Sequence, residues 1–257
     1  MLVSLEKYYS NMHEQMQEAD DLYHQRLNRF LPQTDYDIRV HKTSTARNIV
    51  DGFKNQIRTD EPTVQYKMAG TGKANDSLRA KLEQWGRYMM SQERMKSVVD
   101  PNLQMGFDAL LRGAACKKVM VDVSKIPGPK PKGKKAQMEW ETKLLMDWPF
   151  IARALDPRTV YPSPGLARPH HYVIEKQKRT VADMQQYINN NQWVDSSCDN
   201  DPAREVIRYE YWSQPEYNDD GEEVESGWYM VEVENQLIED KENPYGFVPY
   251  IFEYSGM

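Results

Sequence analysis

The sequence predicts an α+β fold in which amphipathic helices come first and pack on a mostly antiparallel sheet. Strands are predicted between Glu205 and Tyr254, because apolar side chains alternate there in three runs, at Val206–Trp212, Gly227–Val233 and Gly246–Phe252. A period of two places successive side chains on opposite faces and is typical of a half-buried sheet. Helices are predicted upstream, where apolar side chains recur every three or four positions.

Two turn signals separate the alternating runs. Asn218-Asp-Asp-Gly221 stands between the first and second runs, and Asn243-Pro-Tyr-Gly246 stands before the third. Asn and Gly tolerate the positive φ that tight turns require. We therefore expect an antiparallel meander, with a short turn or strand at Gln236–Ile238 before its last member.

The first predicted helix is long and has a continuous apolar face. This face comprises Leu5, Tyr8, Met12, Met16, Ala19, Tyr23, Leu27 and Phe30, and Pro32 ends the helix. An apolar stripe of this length needs a partner, either the sheet of the same chain or another subunit.

Three more helices are predicted before Gly113. One begins at Thr43-Ser-Thr45, whose hydroxyls can cap backbone amides, and its buried face is Ile49, Val50, Phe53 and Ile57. After a strand at Thr63–Met68 and a loop at Ala69–Lys73, the next helix begins near Asn75 or Asp76. It carries Leu78, Leu82, Trp85, Tyr88, Met89 and Met95 at helical spacing. The last runs from Pro101 to Gly113.

Short strands and one loop are predicted in the middle of the chain. The strands are Lys118–Val123, Trp148–Leu155 and His171–Lys176, and the Pro/Gly/Lys tract Ile126–Lys135 is expected to be mobile. Thr180-Val-Ala-Asp183 matches a capping box that opens a short helix. These elements predict a helical part over 1–123, a flexible loop over 124–139 and a strand-rich part over 140–257.

Charge and cysteine content narrow the functional classes. The stretch Asp195–Glu242 holds 16 acidic and 3 basic residues, which gives it a net charge of −13. The net charge of the whole chain is -6, so the rest of the chain has a net charge of about +7. This excludes a uniformly basic nucleic-acid binder and allows a protein with one repelling and one attracting face. Cys116 and Cys198 make no disulfide framework, so a reducing compartment is expected. No apolar run reaches the roughly 20 residues of a membrane helix.

The motifs predict no enzyme, cofactor or metal site. Ala69–Ala74 lacks the first glycine and the hydroxyl residue of a phosphate-binding loop. No histidine gathers the three or four ligands that metal sites use. The turn at Asn218 resembles a calcium loop, but Tyr229 stands where a bidentate Glu is required.

Two sets of residues remain as candidates for binding surfaces. Lys130, Lys132, Lys134 and Lys135 are candidates for contact with a DNA backbone, but the preferred interpretation of this tract is a solubilising loop. The residues predicted for subunit interfaces are Tyr8, Met12, Met16, Tyr23, Trp85, Tyr88 and Met89, and the alternative is that they form the core.

Two strings near the C-terminal end resemble a recurring part of the portal proteins of tailed bacteriophages. They are Tyr209-Glu-Tyr-Trp212 and Asn243-Pro-Tyr-Gly-Phe-Val-Pro249. In that family a Tyr-Trp strand and a hairpin lead to such a turn just before the channel-lining region. Further similar segments are Arg47–Val50, Arg112-Gly113, Leu155–Pro162 and the opening helix with Asp21-Leu-Tyr23 and Arg26.

The resemblance implies a portal wing-like fold and a structural role without catalysis. A portal is a ring, twelvefold in the family, at one capsid vertex, through which double-stranded DNA is packaged and ejected. It is assembled in the host bacterial cytoplasm and resides in the virion. The implied partners are capsid and scaffolding proteins, the packaging motor, a tail adaptor and DNA that passes non-specifically. Because portals continue through a stem, a clip and a crown, the chain is expected to be an N-terminal portion.

A ring places two demands on each subunit. Ring subunits meet head to tail, so each needs two different adhesive faces, which the first helix and the Trp85 helix are predicted to supply. An acidic surface beside the DNA would let the duplex slide. The alternative is an α+β adaptor or scaffold without a pore that binds a single protein partner through the same helices. An enzyme of unrecognised type ranks third.

Overall fold

The computed structural model describes residues 1–26, 44–59, 73–96, 99–122, 125–126, 128–146, 149–165, 170–195, 201–218, 220 and 222–254. The helices in these ranges are α1 (Leu2–Tyr23), α2 (Thr45–Thr59), α3 (Lys73–Lys96), α4 (Pro101–Arg112), α5 (Lys134–Met146) and α6 (Gln185–Asn189). The strands are β1 (Ala114–Val121), β2 (Phe150–Leu155), β3 (Val160–Pro162), β4 (Tyr172–Thr180), β5 (Glu205–Ser213), β6 (Glu216–Tyr217), β7 (Glu223–Glu225), β8 (Trp228–Val233), β9 (Gln236–Glu242) and β10 (Tyr250–Tyr254). The predicted α+β class is confirmed.

The chain forms two compact units, and each is built from two separate stretches. The first, which we call the sheet unit, comprises Met1–Met16 and Leu155–Tyr250. The second, which we call the helix unit, comprises Gln17–Ala154 and Ile251–Met257. The predicted division followed chain position and assigned the first 16 residues to a helical part, whereas these residues belong to the sheet unit.

The sheet unit is built on five strands in the order β3-β4-β5-β8-β9. All neighbouring pairs are antiparallel, and β4 and β5 pair over their whole lengths. A two-residue turn at Glu234 and Asn235, both with positive φ, joins β8 to β9. The first members of the predicted meander are therefore confirmed, and the short element expected near Gln236 is a complete strand.

The last member of the predicted meander is wrong. β10 lies in a separate three-stranded sheet of order β10-β1-β2 and not beside β9. Alternation specifies a strand and its two faces, but it does not specify the neighbouring strand. The turn after Asn243 redirects the chain, and Pro249, which has no backbone N–H to donate to a ladder, precedes β10 directly.

The helix unit contains one predicted helix whose two ends are well capped. The side chain of Asp100 accepts hydrogen bonds from the backbone N–H groups of Asn102 and Leu103, at 3.0 and 3.3 Å. Gly113 ends α4 with φ of 74°, which is the left-handed conformation that glycine adopts without strain. The predicted boundaries of α4, at Pro101 and Gly113, are confirmed.

Helix α5 was not predicted, and it overlaps the tract that was expected to be a mobile loop. Lys134 and Lys135 form its first turn. The residues from Ala136 onward are mostly good helix formers. Because they directly follow the Pro/Gly tract, the loop was predicted to extend over the start of this helix. The predicted loop is therefore shorter than expected.

The predicted buried face of α2 and the apolar stripe of α3 are both partly exposed. Ile49 and Phe53 of α2, and Leu78 and Trp85 of α3, are all exposed large apolar side chains. The periodicity correctly predicted the helices, but it did not predict what covers them. The predicted strand Thr63–Met68, together with Leu27, Phe30, Ile57, Trp148 and most of the Ala69–Lys73 loop, lies outside the described residues or side chains.

The first half of α1 packs on the five-stranded sheet. Leu5 and Tyr9 form a buried cluster with Tyr161 of β3 and Ile174 of β4. The hydroxyl of Tyr9 donates to the carbonyl of Pro162 at 3.2 Å. This hydrogen bond occupies one carbonyl of β3, which is the edge strand of the sheet. Among the helices that the structure describes, none has both the length and the apolarity that crossing a bilayer requires.

The predicted capping box at Thr180 is confirmed. The backbone N–H of Thr180 donates to Asp183 Oδ2 at 3.0 Å, and the N–H of Asp183 donates to Thr180 Oγ1 at 3.3 Å. Val181 and Met184 of this segment are buried, and Tyr187 and Ile188 are half-buried.

A buried ion-pair cluster ties the second half of α1 to α4. The guanidinium of Arg112 donates to both oxygens of Asp20 at 3.1 Å and to Asp108 Oδ1 at 2.8 Å. The carboxylates of Asp20 and Asp108 are almost fully buried. Removing two carboxylates from water costs free energy, and their hydrogen bonds to this one guanidinium offset part of that cost.

Replacing Arg112 with Met should therefore lower the free energy of unfolding by about 3–5 kcal/mol, because it removes the cation that both buried carboxylates share. Arg79→Met is the matched control, since Arg79 pairs with Glu83 on an exposed helix face at 3.8 Å, and it should cost about 0.5 kcal/mol or less. Urea denaturation of both variants measures the difference. Similar losses in the two variants would contradict the prediction.

His13 lies between two aromatic rings where α1 meets the sheet. Its ring stacks on Tyr9 at 5.9 Å between centroids and meets Tyr161 edge-on at 5.3 Å. Its Nε2 atom is buried and has no hydrogen-bond partner in the described part of the chain. This site favours the neutral imidazole.

Burial lowers the pKa of His13; of the nearby charges, Asp156 and Glu6 oppose this shift and Arg158 adds to it. The stability contributed by a neutral His13 is complete above the unfolded-state pKa of about 6.5 and is lost as the pH falls below it. Between about pH 7.5 and about pH 5.5, the wild-type protein should therefore lose more unfolding free energy than a His13→Phe variant. If urea denaturation shows that both proteins lose the same unfolding free energy between these pH values, protonation of His13 is not coupled to stability.

Candidate functional site

The turn from Asn243 to Pro249, which we call the aromatic turn, is held by the side chain of its first residue. Asn243 Nδ2 donates to the carbonyls of Ser213 and Phe247 at 2.7 and 2.9 Å, and Oδ1 accepts from the N–H of Tyr245 at 3.0 Å. Gly246 has a φ of 65°, which an L side chain rarely adopts. Asparagine is thus required at position 243 for its amide hydrogen bonds, and glycine is required at position 246 for its positive φ.

The aromatic turn packs directly on β5. The ring of Tyr245 stacks on Trp212 at 5.5 Å between centroids, with an angle of 14° between the planes. Trp212 also contacts Tyr229 of β8 at 4.3 Å, and Tyr245 contacts Phe247 at 5.8 Å. Four aromatic rings therefore form a continuous row that begins in the sheet and ends at Phe247, whose side chain is exposed.

Gly227 permits the close approach between the start of β8 and the end of β5. A Cβ atom at this position would lie 2.6 Å from the carbonyl oxygen of Ser213. The carbonyl of Gly227 also accepts the N–H of Asn243 at 2.8 Å. The aromatic turn, β5 and β8 are therefore joined by backbone contacts as well as by stacked rings.

A buried polar network lies on the same face of β5 as Trp212. Arg208 donates to Glu210 Oε2, and Trp212 Nε1 donates to Glu210 Oε1 at 2.6 Å. Burial lowers the pKa of Arg208, but the adjacent Glu210 outweighs this effect, and the net pKa is raised. Burial and the same carboxylate also raise the pKa of Tyr229. The arginine is therefore charged and the tyrosine neutral throughout the physiological range.

Two buried carboxylates face each other across neighbouring strands in this network. Glu175 of β4 pairs in register with Glu210 of β5, and both are almost fully buried. Glu175 accepts hydrogen bonds from Gln177 at 2.6 Å and from the hydroxyl of Tyr250 at 2.7 Å. Both carboxylates thus bind donors within the core, as charged groups out of water require.

Sequence reasoning missed this network. The alternation of β5 was attributed to apolar residues, yet the buried face consists of Val206, Arg208, Glu210 and Trp212, while Ile207 is exposed. The sequence does contain a signal, because Arg208 and Glu210 stand at every second position between Val206 and Trp212 and therefore share their face of the strand.

Within the described residues, no group of three or more His, Cys, Asp or Glu side chains is placed to hold a metal ion.

The predicted interface residues fall into exposed and buried groups. Tyr8 is 62% exposed and Trp85 is 51% exposed, so both are available to a partner. Met16 and Tyr23 are buried by their own chain, and Tyr23 packs on Phe107 at 5.5 Å. Met12, Tyr88 and Met89 are half-buried.

The predicted DNA-contacting lysines lie on α5 and on the loop before it, and all four are exposed. Lys130 pairs with Glu141 at 2.8 Å and lies 6.0 Å from the centre of the Trp140 ring. Trp140 Nε1 donates to the carbonyl of Gly128 at 2.6 Å, which holds the loop against the helix. Among the described residues, no ion pair involves the other three, Lys132, Lys134 and Lys135.

No family model matches the chain, and no curated protein matches it either. Its candidate sites therefore rest on the geometry of its own residues. These sites are the aromatic turn, the exposed apolar helices, the lysines of α5 and the acidic hairpin of β6 and β7.

Replacing Asn243 with Ala should destabilise the sheet unit by about 1–3 kcal/mol, because the variant loses three hydrogen bonds at a buried turn. Asn218→Ala is the control, since Asn218 Oδ1 accepts from two backbone N–H groups, of Asp220 and Glu222, but at an exposed turn. The control should cost at most about 1 kcal/mol. Chemical denaturation followed by tryptophan fluorescence reports on both variants. A control that costs as much as Asn243→Ala would contradict the assigned role.

Proposed function

We propose that the chain is a subunit of the ring-shaped portal of a tailed bacteriophage, through which double-stranded DNA is packaged and ejected. In this proposal it is a structural virion protein, assembled in the bacterial cytoplasm and placed at one capsid vertex. Its partners are its own copies, the capsid and scaffolding proteins, the packaging motor, a tail adaptor and the passing DNA. The chain supplies mostly the wing of each subunit.

The observation that carries this proposal is the stacking of Tyr245 on Trp212. These residues belong to the two separate strings that resemble portal proteins. Asn243 also reaches from the second string to the carbonyl of Ser213, directly after the first. Short strings that recur by chance have no reason to pack on each other, so the contact supports a shared structural role.

The distribution of exposed apolar side chains supports assembly from identical subunits. Tyr8 is exposed in the sheet unit, whereas Phe53, Leu78 and Trp85 are exposed in the helix unit. A closed ring needs two different adhesive surfaces on each subunit, because its contacts are head to tail. Exposed tryptophan and tyrosine are typical anchors of such contacts.

The charge distribution also fits a molecule that meets both DNA and its own copies. The sheet unit has 21 acidic and 9 basic residues, a net charge of −12, and the helix unit has 18 acidic and 24 basic residues, a net charge of +6. Duplex DNA is repelled by the first sign and attracted by the second. The exposed lysines of α5 belong to the positive unit.

The alternative function is an α+β adaptor or scaffold that binds one protein partner through the same exposed helices. Both functions use Trp85 and Tyr8 in an interface, so the exposed residues do not distinguish them. Ring closure does, because an adaptor for a single partner has no reason to close a ring of its own copies.

Negative-stain electron microscopy of the protein, expressed to the natural end of its reading frame, tests the proposal. We expect rings with a central hole wide enough for a DNA duplex. Trp85→Asp should abolish the rings, because it places a charge in an interface core, and Met138→Asp, at another exposed apolar residue, serves as the control. Discrete monomers or dimers, with no ring at any protein concentration tested, would favour the adaptor.

A further inference from the structure

The hairpin of β6 and β7 stands apart from the rest of the sheet unit. Its two strands pair only with each other, as a separate two-stranded sheet. All five strand residues are exposed, including Tyr217 at 60% and Val224 at 68%. An isolated two-stranded hairpin is marginally stable in water, so an exposed aromatic and an exposed valine on such a hairpin indicate a surface that packs on something else.

The same hairpin is strongly acidic. From Glu216 to Glu225 the sequence has six acidic residues and no basic residue. In the described part of this segment, no carboxylate forms an ion pair with a lysine or arginine of the chain. Its partner should therefore carry apolar groups and positive charge together.

Helix α3 has this combination on a surface that is partly exposed. Leu78, Leu82, Trp85 and Met89 are spaced by three or four residues and form one stripe, with Leu78 and Trp85 exposed. Over its length α3 has six basic and three acidic residues. Exposed basic side chains flank the stripe on both sides, at Arg79 and Lys81, whereas Arg87 lies on the opposite helix face beside Glu83.

We infer that the β6–β7 hairpin of one copy of the chain docks on α3 of the next copy. Tyr217 and Val224 would pack against the Leu78–Met89 stripe, and the glutamates would face Arg79 and Lys81, which flank it. The inference rests on the proposed function, since it names the surfaces through which portal subunits meet. The contact is heterologous, because hairpin and helix are different surfaces of one chain, so it can repeat around a ring.

A second copy fits the hairpin better than DNA does. Six acidic residues repel phosphates, whereas α3 supplies positive charge and an apolar stripe on the same polypeptide. Trp, Tyr and Arg, which are enriched in protein interfaces, all occur on the two surfaces. Complementary charge also fixes the register of contacts and disfavours wrong partners.

Reciprocal charge reversal tests the inference on the full chain. The hairpin variant replaces Glu216, Glu222, Glu223 and Glu225 with Lys. The helix variant combines Arg79→Glu, Lys81→Glu, Glu83→Arg and Arg87→Glu, so the pairing of Glu83 with Arg79 and Arg87 is kept with its signs exchanged. The control variant replaces four other exposed acidic residues of the sheet unit with Lys, and these are Asp201, Glu205, Asp240 and Glu242.

Each reversed variant alone should weaken self-association at least about 100-fold in analytical ultracentrifugation, because like charges then face each other. An equimolar mixture of the two should assemble again, since each reversed surface meets its complement and the two wild-type surfaces meet each other. The control variant should assemble like the wild type. Circular dichroism of each variant establishes that it is folded.

Three outcomes would overturn the inference. The reversed variants could assemble as the wild type does, the mixture could fail while the wild type forms rings, or the hairpin variant could gain DNA binding with unchanged assembly. The last would place the hairpin beside DNA. In all three the portal proposal survives if wild-type rings form. Rescue in the mixture that yields only dimers or open filaments would support the contact and overturn the portal, whereas a wild-type chain that never self-associates would overturn both.

Discussion

The side chain of Asn243 determines the path by which the chain leaves the five-stranded sheet. It binds the end of β5, closes the aromatic turn and places Tyr245 on Trp212. Since Trp212 also donates to Glu210, the turn rests on the buried network of Arg208, Glu210 and Tyr229 rather than on an apolar core alone. Buried charges tolerate little displacement, because each must keep its partner. The turn is therefore well defined, and β10 follows from it into the other sheet.

Helix α1 combines apolar packing in its first half with a buried ion pair in its second half. Its first half packs Leu5 and Tyr9 on the sheet, while its second half presents Asp20 to Arg112 of α4. One helix thus belongs to both compact units, with the boundary between Met16 and Gln17. The energies of charged and aromatic contacts depend on orientation more than that of aliphatic packing does. These contacts therefore specify the orientation in which each half of the helix packs.

The two units differ in charge, and both expose apolar side chains. The sheet unit is acidic and carries an exposed hairpin with Tyr217 and Val224, whereas the helix unit is basic and exposes Phe53, Leu78 and Trp85. A monomer gains nothing from leaving such side chains in water, because their burial would contribute roughly 25 cal/mol per Å². Copies of the same chain that bring the two surfaces together would bury them and pair opposite charges. The portal ring that we propose would be such an assembly.

The sequence by itself determined the class, most helices and strands, the bounds of α4, the capping box at Thr180, and the strand and the turn that carry the family resemblance. These features depend on local periodicity and on the conformational preferences of residues such as Gly113 and Asn243, which a sequence displays. Only the tertiary structure decided that β10 leaves the meander, that Glu175 faces Glu210, and that Met16 is buried while Trp85 is exposed. The periodicity of apolar residues specifies which side chains share one face of a helix or strand. Which other element packs on that face is decided by contacts between residues far apart in the chain.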